Sequence, residues 1–262
     1  MGDCYFTTPD GDWFQPTDFC RGPWDAAACH AGPPTGLLAR ASEAAVPHQP
    51  LVRITVDLIR AIPHAGFRIA TEVIRAGRTV STTLMRLIDG DGKEVLTARG
   101  LHQAFAEPGA LDDVPTTAYT PPPFDEAVTG AFPVGRALHG LPYFRDSVEV
   151  RYNPGERQTA GPKRVWMKTL PLLADEEPSP FQRICPLADC GNAFGRNTDG
   201  LDYAFMNTDL TVLLHRAPDG EWFGMDVAGR WEPTGLGMSD ALLFDPHGAV
   251  GRALQTLLVR RR

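Results

Sequence analysis

Positive charge is scarce in this sequence: 25 lysines and arginines stand against 32 aspartates and glutamates, a net charge of −7. Nucleic acid and anionic membrane surfaces are bound through an excess of cationic side chains, so neither is expected as the main partner. Cysteine is also sparse. Cys4, Cys20, Cys29, Cys185 and Cys190 are odd in number and contain no C-x-x-C pair, which argues against a disulfide framework and a zinc site. No metal and no cofactor is expected. No basic-then-apolar leader opens the chain, and no apolar run approaches the roughly 20 residues of a membrane span, so the expected location is a reducing cytoplasm. The sequence has neither a G-x-S-x-G nucleophile elbow nor a P-loop. Asp89-Gly90-Asp91-Gly92 lacks the other ligand positions of a calcium loop and reads as a hairpin turn.

What is present is enough apolar residue, 43% against 22% charged, for one large core or two small ones. The pattern is doubled. Val52–Pro63 (VRITVDLIRAIP) resembles the stretch beginning at Met206 (MNTDLTVLLHRAP), with DLIRAIP lying over VLLHRAP, and Arg86–Gly92 resembles Leu242–Gly248. Each copy then runs into a last strand, Val95–Phe105 or Val250–Val259, holding Gln103 or Gln255. Similarity at a fixed offset implies duplication of one folding unit.

In chain order, Met1–Asp25 is turn-rich. Pro33 and Pro34 open a small-residue helix that stops before Pro47, since proline suits a first helical turn and breaks an interior one. Strands follow at Val52–Ala61, Phe67–Ala76, Thr79–Ile88 and Val95–Phe105. Residues 107–140 are rich in proline and glycine and read as a linker, which sets an N-terminal unit at 1–106 and a C-terminal unit at 141–262. The second unit opens with a hairpin, Val148–Asn153 and Lys163–Lys168. A helix over Pro180–Phe194 follows, its regularity limited by Pro186, and then strands Asn207–Arg216, Glu221–Ala228, Leu236–Phe244 and Val250–Val259.

Read with a period of two, the strand beginning at Met206 puts Asn207, Asp209 and Thr211 on one face and Thr208, Leu210, Val212 and Leu214 on the other. The polar face is either the wet side of an antiparallel strand or a carboxylate flanked by hydrogen-bonding groups for catalysis.

The helix-then-four-strands order, the entry HAGPPTGLLARA, the strand NTDLTVLLHR and the ending GLGMSDALLFDPHGAVGRALQTLLV together resemble the double-hotdog acyl-CoA thioesterases, the thioesterase II-like family. The resemblance spans nearly the whole chain and is most specific in its second half. It implies an α+β double hotdog, two tandem units in which an antiparallel sheet wraps a central helix, with an acyl pocket at their interface and hydrolysis of an acyl-CoA thioester. Laid onto this sequence, the family's aspartate falls on Asp209 and its glutamine on Gln255, which would activate and hold the attacking water. The family's hydroxyl residue falls at Arg230, a departure for which Thr211 or Thr234 is a substitute. Oxyanion donors would come from a helix N-terminus, where Gly32 is the N–H the prolines leave. His30 reads either as a helix-entry residue packed on Trp24 or as a substrate contact, and Asn207 either as a substrate contact or as a backbone brace. Asp189 and Asn192 are polar in a helix that should be buried, a weaker sign that they line the pocket. Asp57 does not align with Asp209, so one site per chain is expected. The alternatives are a hotdog hydratase or dehydratase working through His30, or a catalytically silent acyl-CoA- or lipid-binding protein. The sheet edges of two hotdogs lead us to expect a homodimer.

Overall fold

A computed structural model describes residues 3–133, 139–200 and 202–262; residues 134–138 of the expected linker, and the chain's first two residues, lie outside the described residues. The first helix and its strands are β1 (Phe6–Thr7), β2 (Gln15–Pro16), α1 (Gly32–Ala45), β3 (Leu51–Leu58), β4 (Arg68–Arg75), β5 (Val80–Ile88) and β6 (Glu94–Gln103). After β7 (Val128–Thr129), β8 (Glu149–Tyr152) and β9 (Lys163–Lys168) come α2 (Pro180–Ala188) and α3 (Gly191–Phe194). The chain ends in β10 (Tyr203–Asn207), β11 (Asp209–Leu214), β12 (Phe223–Trp231), β13 (Leu236–Asp245) and β14 (Gly248–Arg261). Helix α1 falls where two prolines and a run of small residues allow it.

All but β1 and β2 belong to one antiparallel sheet, ordered β4-β5-β6-β3-β11-β14-β13-β12-β9-β8-β7, with β10 added beside β14. The order β4-β5-β6-β3 is repeated in mirror sense as β11-β14-β13-β12, and the two sets meet where β3 pairs with β11, Asp57 opposite Asp209 and Thr55 opposite Thr211. Helix α1 lies against β3 to β6, α3 against β10 and β12 to β14, and α1 packs on α2. A single apolar cluster runs through both sets, from Leu37, Ile54 and Met85 to Ile184, Val212 and Leu243.

Two close approaches fix the helices. Gly32 carries no Cβ because one there would lie 2.6 Å from the Pro186 carbonyl oxygen, so the start of α1 rests directly on α2. Farther along α1, buried Ser42 bonds Thr83 Oγ1 (2.7 Å) and His102 Nε2 (2.8 Å) over the bare backbone of Gly100, pegging the helix to β5 and β6. The proline-rich stretch is not merely a tether: Phe124 packs edge-on against Trp166 at 5.3 Å, and β7 extends the sheet beside β8. Among the described residues no helix is long and apolar enough to cross a membrane, and no three metal-ligating side chains converge.

Candidate active site

The helix expected over Pro180–Phe194 breaks in two at Asp189 and Cys190, one turn after Pro186. A break of this kind leaves a carbonyl at the end of α2 and an N–H at the start of α3 without helical partners. Gln255, on β14 and 3% exposed, satisfies both. Its Nε2 donates to the Asp189 backbone oxygen (3.1 Å) and to Asp189 Oδ1 (2.9 Å), while its Oε1 accepts from the Asn192 N–H (2.9 Å). Gly191 makes the approach possible, since a Cβ there would meet Ser239 Oγ at 2.5 Å and Gln255 Oε1 at 3.1 Å.

Around Asp189 the rest of a cluster assembles. Asn207 Nδ2 donates to Asp189 Oδ1 (2.9 Å) and makes a longer contact with the Asp209 carbonyl (3.4 Å). His30 Nδ1 lies 3.0 Å from Asp189 Oδ2, and its ring stacks on Phe144 at 4.0 Å and 12°. The Gly32 N–H points at His30 Nδ1 (3.2 Å), and the N–H groups of Ala31 and Gly32 also favour the carboxylate. Burial outweighs these donors: Asp189 is 2% exposed, and its carboxyl is pushed up to about 7 even though Gln255, Asn207 and the α1 entry oppose the shift. Burial likewise lowers His30 to about 3, so its imidazole is neutral at physiological pH.

The cluster forms part of the wall of a cavity of about 390 Å³, a size common for small-molecule sites. Trp24, Phe132, Phe144 and Phe205 are among its apolar lining, and Asp189, Asn192, Asn207 and His30 among its polar groups. It lies where the seam of the sheet opens. The Leu58 N–H still reaches the Thr208 carbonyl (3.0 Å), but Ile59 and Arg60 turn away to Val95, and among the described residues β10 pairs only with β14. Arg60 and Trp24 lie on the cavity wall, and the guanidinium of the last residue, Arg262, sits 4.8 Å over the Trp24 ring.

The sequence-predicted residues divide. Gln255, Asn207 and His30 come together, and Gly32 adjoins them with its N–H directed at His30 instead of free for an oxyanion. Asp209 and Thr211 are not brought there. Asn207 opposes Leu257 whereas Thr211 opposes Leu254, so this strand takes four steps against three on β14 and carries a bulge at Thr208. One extra residue reverses the alternation of faces. Asn207 therefore points inward, while Asp209 points outward with Oδ1 accepting the Thr256 N–H (2.6 Å), and Thr211 bonds Thr55 across the outer face (3.2 Å). The carboxylate that this cluster brings to the cavity wall is Asp189, not Asp209, and Asn192 beside it lines the same wall. Arg230 and Thr234 are exposed. His30 packs on Phe144, and Trp24 instead meets Phe205 edge-on at 5.7 Å. Phe132 and Phe144 carried no signal in the sequence, because irregular segments deliver both.

The model of the acyl-CoA thioesterase N-terminal domain matches residues 20–103, and that of the acyl-CoA thioesterase C-terminal domain matches residues 112–259. No curated protein sequence matches the chain. Among solved structures, a thioesterase candidate from Novosphingobium aromaticivorans is similar at 19% identity and TM-score 0.75, covering 98% of this chain and 99% of the other. The acyl-CoA thioesterase II TesB2 of Mycobacterium marinum is similar at 15% identity and TM-score 0.62, with 98% and 96% covered. A conserved protein with a hot dog fold from Alicyclobacillus acidocaldarius is similar at 15% identity and TM-score 0.67, again with 98% and 96% covered.

Proposed function

Because the chain belongs to the acyl-CoA thioesterase family, we propose that it hydrolyses an acyl-CoA thioester in the cavity beside Asp189. The observation that carries this reading is a buried carboxylate held by Gln255, Asn207 and His30 at the wall of an apolar pocket. Thioester hydrolysis needs an acceptor for a proton of the attacking water and a pocket that accommodates the acyl chain. The Asp189 cluster supplies the acceptor, with Gln255 and Asn207 fixing the carboxylate, and the aromatic walls suit an acyl chain. Arg60 on the cavity wall and Arg262 over Trp24 are cations available to meet the CoA phosphates.

On this reading the architecture is a tandem double hotdog, with units at 1–106 and 141–262 joined through 107–140; the mirrored strand order about the β3–β11 seam supports it. Substrate contacts come from His30 and Asn207, both on the wall of the cavity. The edge strands β4 and β7 leave backbone groups unpaired, which supports association of two chains.

Thiol release from acyl-CoAs of graded chain length tests the assignment. Asp189→Asn is expected to lower kcat by about 100-fold or more, the usual scale of a lost acid–base group, whereas Asp209→Asn stays within a few-fold of the parent. The reverse ranking would remove the cluster from the chemistry. The His30–Asp189 contact is also the kind of pair a hydratase uses, so water addition to an enoyl-CoA is measured alongside; addition without thiol release would favour that activity. Binding with neither reaction would favour a silent acyl-CoA carrier.

A further inference from the structure

We infer that Phe132 closes the acyl end of the cavity and restricts this chain to short-chain acyl-CoAs. The inference rests on the thioesterase reading and names a substrate class for it. Among the rings that line the cavity are two groups, and among the described residues no ring contact joins one to the other. Trp24 and Phe205 form the first, edge-on at 5.7 Å, with the Arg262 guanidinium over the Trp24 ring. Phe132 and Phe144 form the second, near perpendicular at 6.4 Å. Phe144 stacks on His30 beside Asp189, so the second group begins at the carboxylate cluster.

A thioester held at that cluster has two arms, which leave it in different directions. The CoA arm carries phosphates and is drawn to cations, and the Trp24 group has one in Arg262. The acyl arm is apolar, and its burial is favourable in proportion to the area removed from water. Phe132 and Phe144 therefore receive the acyl arm. Phe132 also meets Phe194 edge-on at 5.1 Å, and Phe194 is fully buried at the end of α3. Phe132 thus stands between the cavity and the apolar core.

The backbone before this ring is tied down. The Gly130 N–H donates to the Val150 carbonyl (3.0 Å), the Tyr152 hydroxyl donates to the Ala131 carbonyl (3.0 Å), and the Ala131 N–H donates to Gln158 Oε1 (3.3 Å). Gly130 lets Tyr152 in, since a Cβ there would lie 2.3 Å from its ring. Both backbone polar groups of Ala131 are satisfied, so the next ring has little freedom to withdraw before a longer chain. The space agrees. At about 390 Å³ the cavity is near the lower end of the range of about 300–1,000 Å³ for small-molecule sites, and the thioester itself takes part of it.

The experiment measures kcat/KM for thiol release by the full chain with acetyl-, butyryl-, hexanoyl-, octanoyl-, decanoyl- and palmitoyl-CoA. The parent is expected to prefer octanoyl-CoA or a shorter substrate and to lose about 10-fold or more toward palmitoyl-CoA. Phe132→Ala is expected to move the optimum to a longer chain and to raise kcat/KM for palmitoyl-CoA about 10-fold or more. A merely structural role for Phe132 would scale every substrate alike and leave the optimum where it was. An unmoved optimum in folded Phe132→Ala, or a parent that prefers decanoyl- or palmitoyl-CoA, would overturn the inference and leave the thioesterase reading intact. Should Phe132→Ala fail to fold, Phe132→Leu keeps an apolar side chain and is expected to shift the optimum in the same direction by less; an unmoved optimum there overturns the inference equally. Absence of thiol release from the parent with all of these substrates would instead reject the thioesterase reading, and this inference with it.

Discussion

At Asp189, burial and hydrogen bonding pull the same charge in opposite directions. Desolvation prevails and leaves the folded carboxyl near 7, against 3.8 for the ordinary group. Between those two pH values the native chain holds a proton that the unfolded chain has released, so stability is full below about 3.8, falls as pH rises, and has lost this contribution above about 7. At about 1.4 kcal/mol per pH unit, the ionised carboxylate costs up to about 4 kcal/mol. Asn keeps the shape and drops the charge. Asp189→Asn is accordingly expected to match the parent in thermal melts at pH 4 and to exceed it in Tm at pH 8; a difference that does not change with pH would contradict this account of the burial. Such a cost at a single residue is what a reactive carboxylate beside a cavity implies.

Among the elements, two interruptions make the site. The break between α2 and α3 exposes the helix-end groups that Gln255 binds, and so fixes both Asp189 and the glutamine. The bulge at Thr208 turns Asn207 inward and Asp209 outward. A third feature sets how closely the pieces sit: the start of α1 touches α2 at Gly32, where an added Cβ would lie 2.6 Å from the Pro186 oxygen. Gly32→Ala should force the two helices apart, lowering the unfolding free energy by about 1–3 kcal/mol in denaturant titrations. The same shift displaces His30 from Asp189, so hydrolysis should fall by more than the lost stability explains. Unchanged stability and activity together would show that the helices have slack at this contact.

For the whole molecule, the decisive fact is that the site is shared along the chain. His30 and the α1 entry come from the early part, Asp189, Asn207 and Gln255 from the late part, and Phe132 and Phe144 from the stretch between. The apolar cluster spans both sets of strands, and the β3–β11 seam makes their sheet continuous. Fragments 1–106 and 107–262 produced separately should each lack hydrolytic activity, because neither contains the complete cluster and each exposes a seam strand. Co-refolding them should restore thiol release. Activity in the later fragment alone would mean that His30 and the α1 entry are dispensable.

The sequence by itself determined most of the architecture, because hydrophobic periodicity, proline-led helix entries and the doubled pattern are local and repeat along the chain. It marked the positions of Gln255, Asn207 and His30, and it noted Asp189 as a polar residue in a helix that should be buried. Which carboxylate reaches the cavity was decided only by tertiary structure. Alternation along a strand is a local rule that one inserted residue reverses, and that insertion shows only in the pairing of β10 and β11 with β14. The raised carboxyl of Asp189 likewise comes from burial and from partners contributed by distant parts of the chain, which no local pattern encodes.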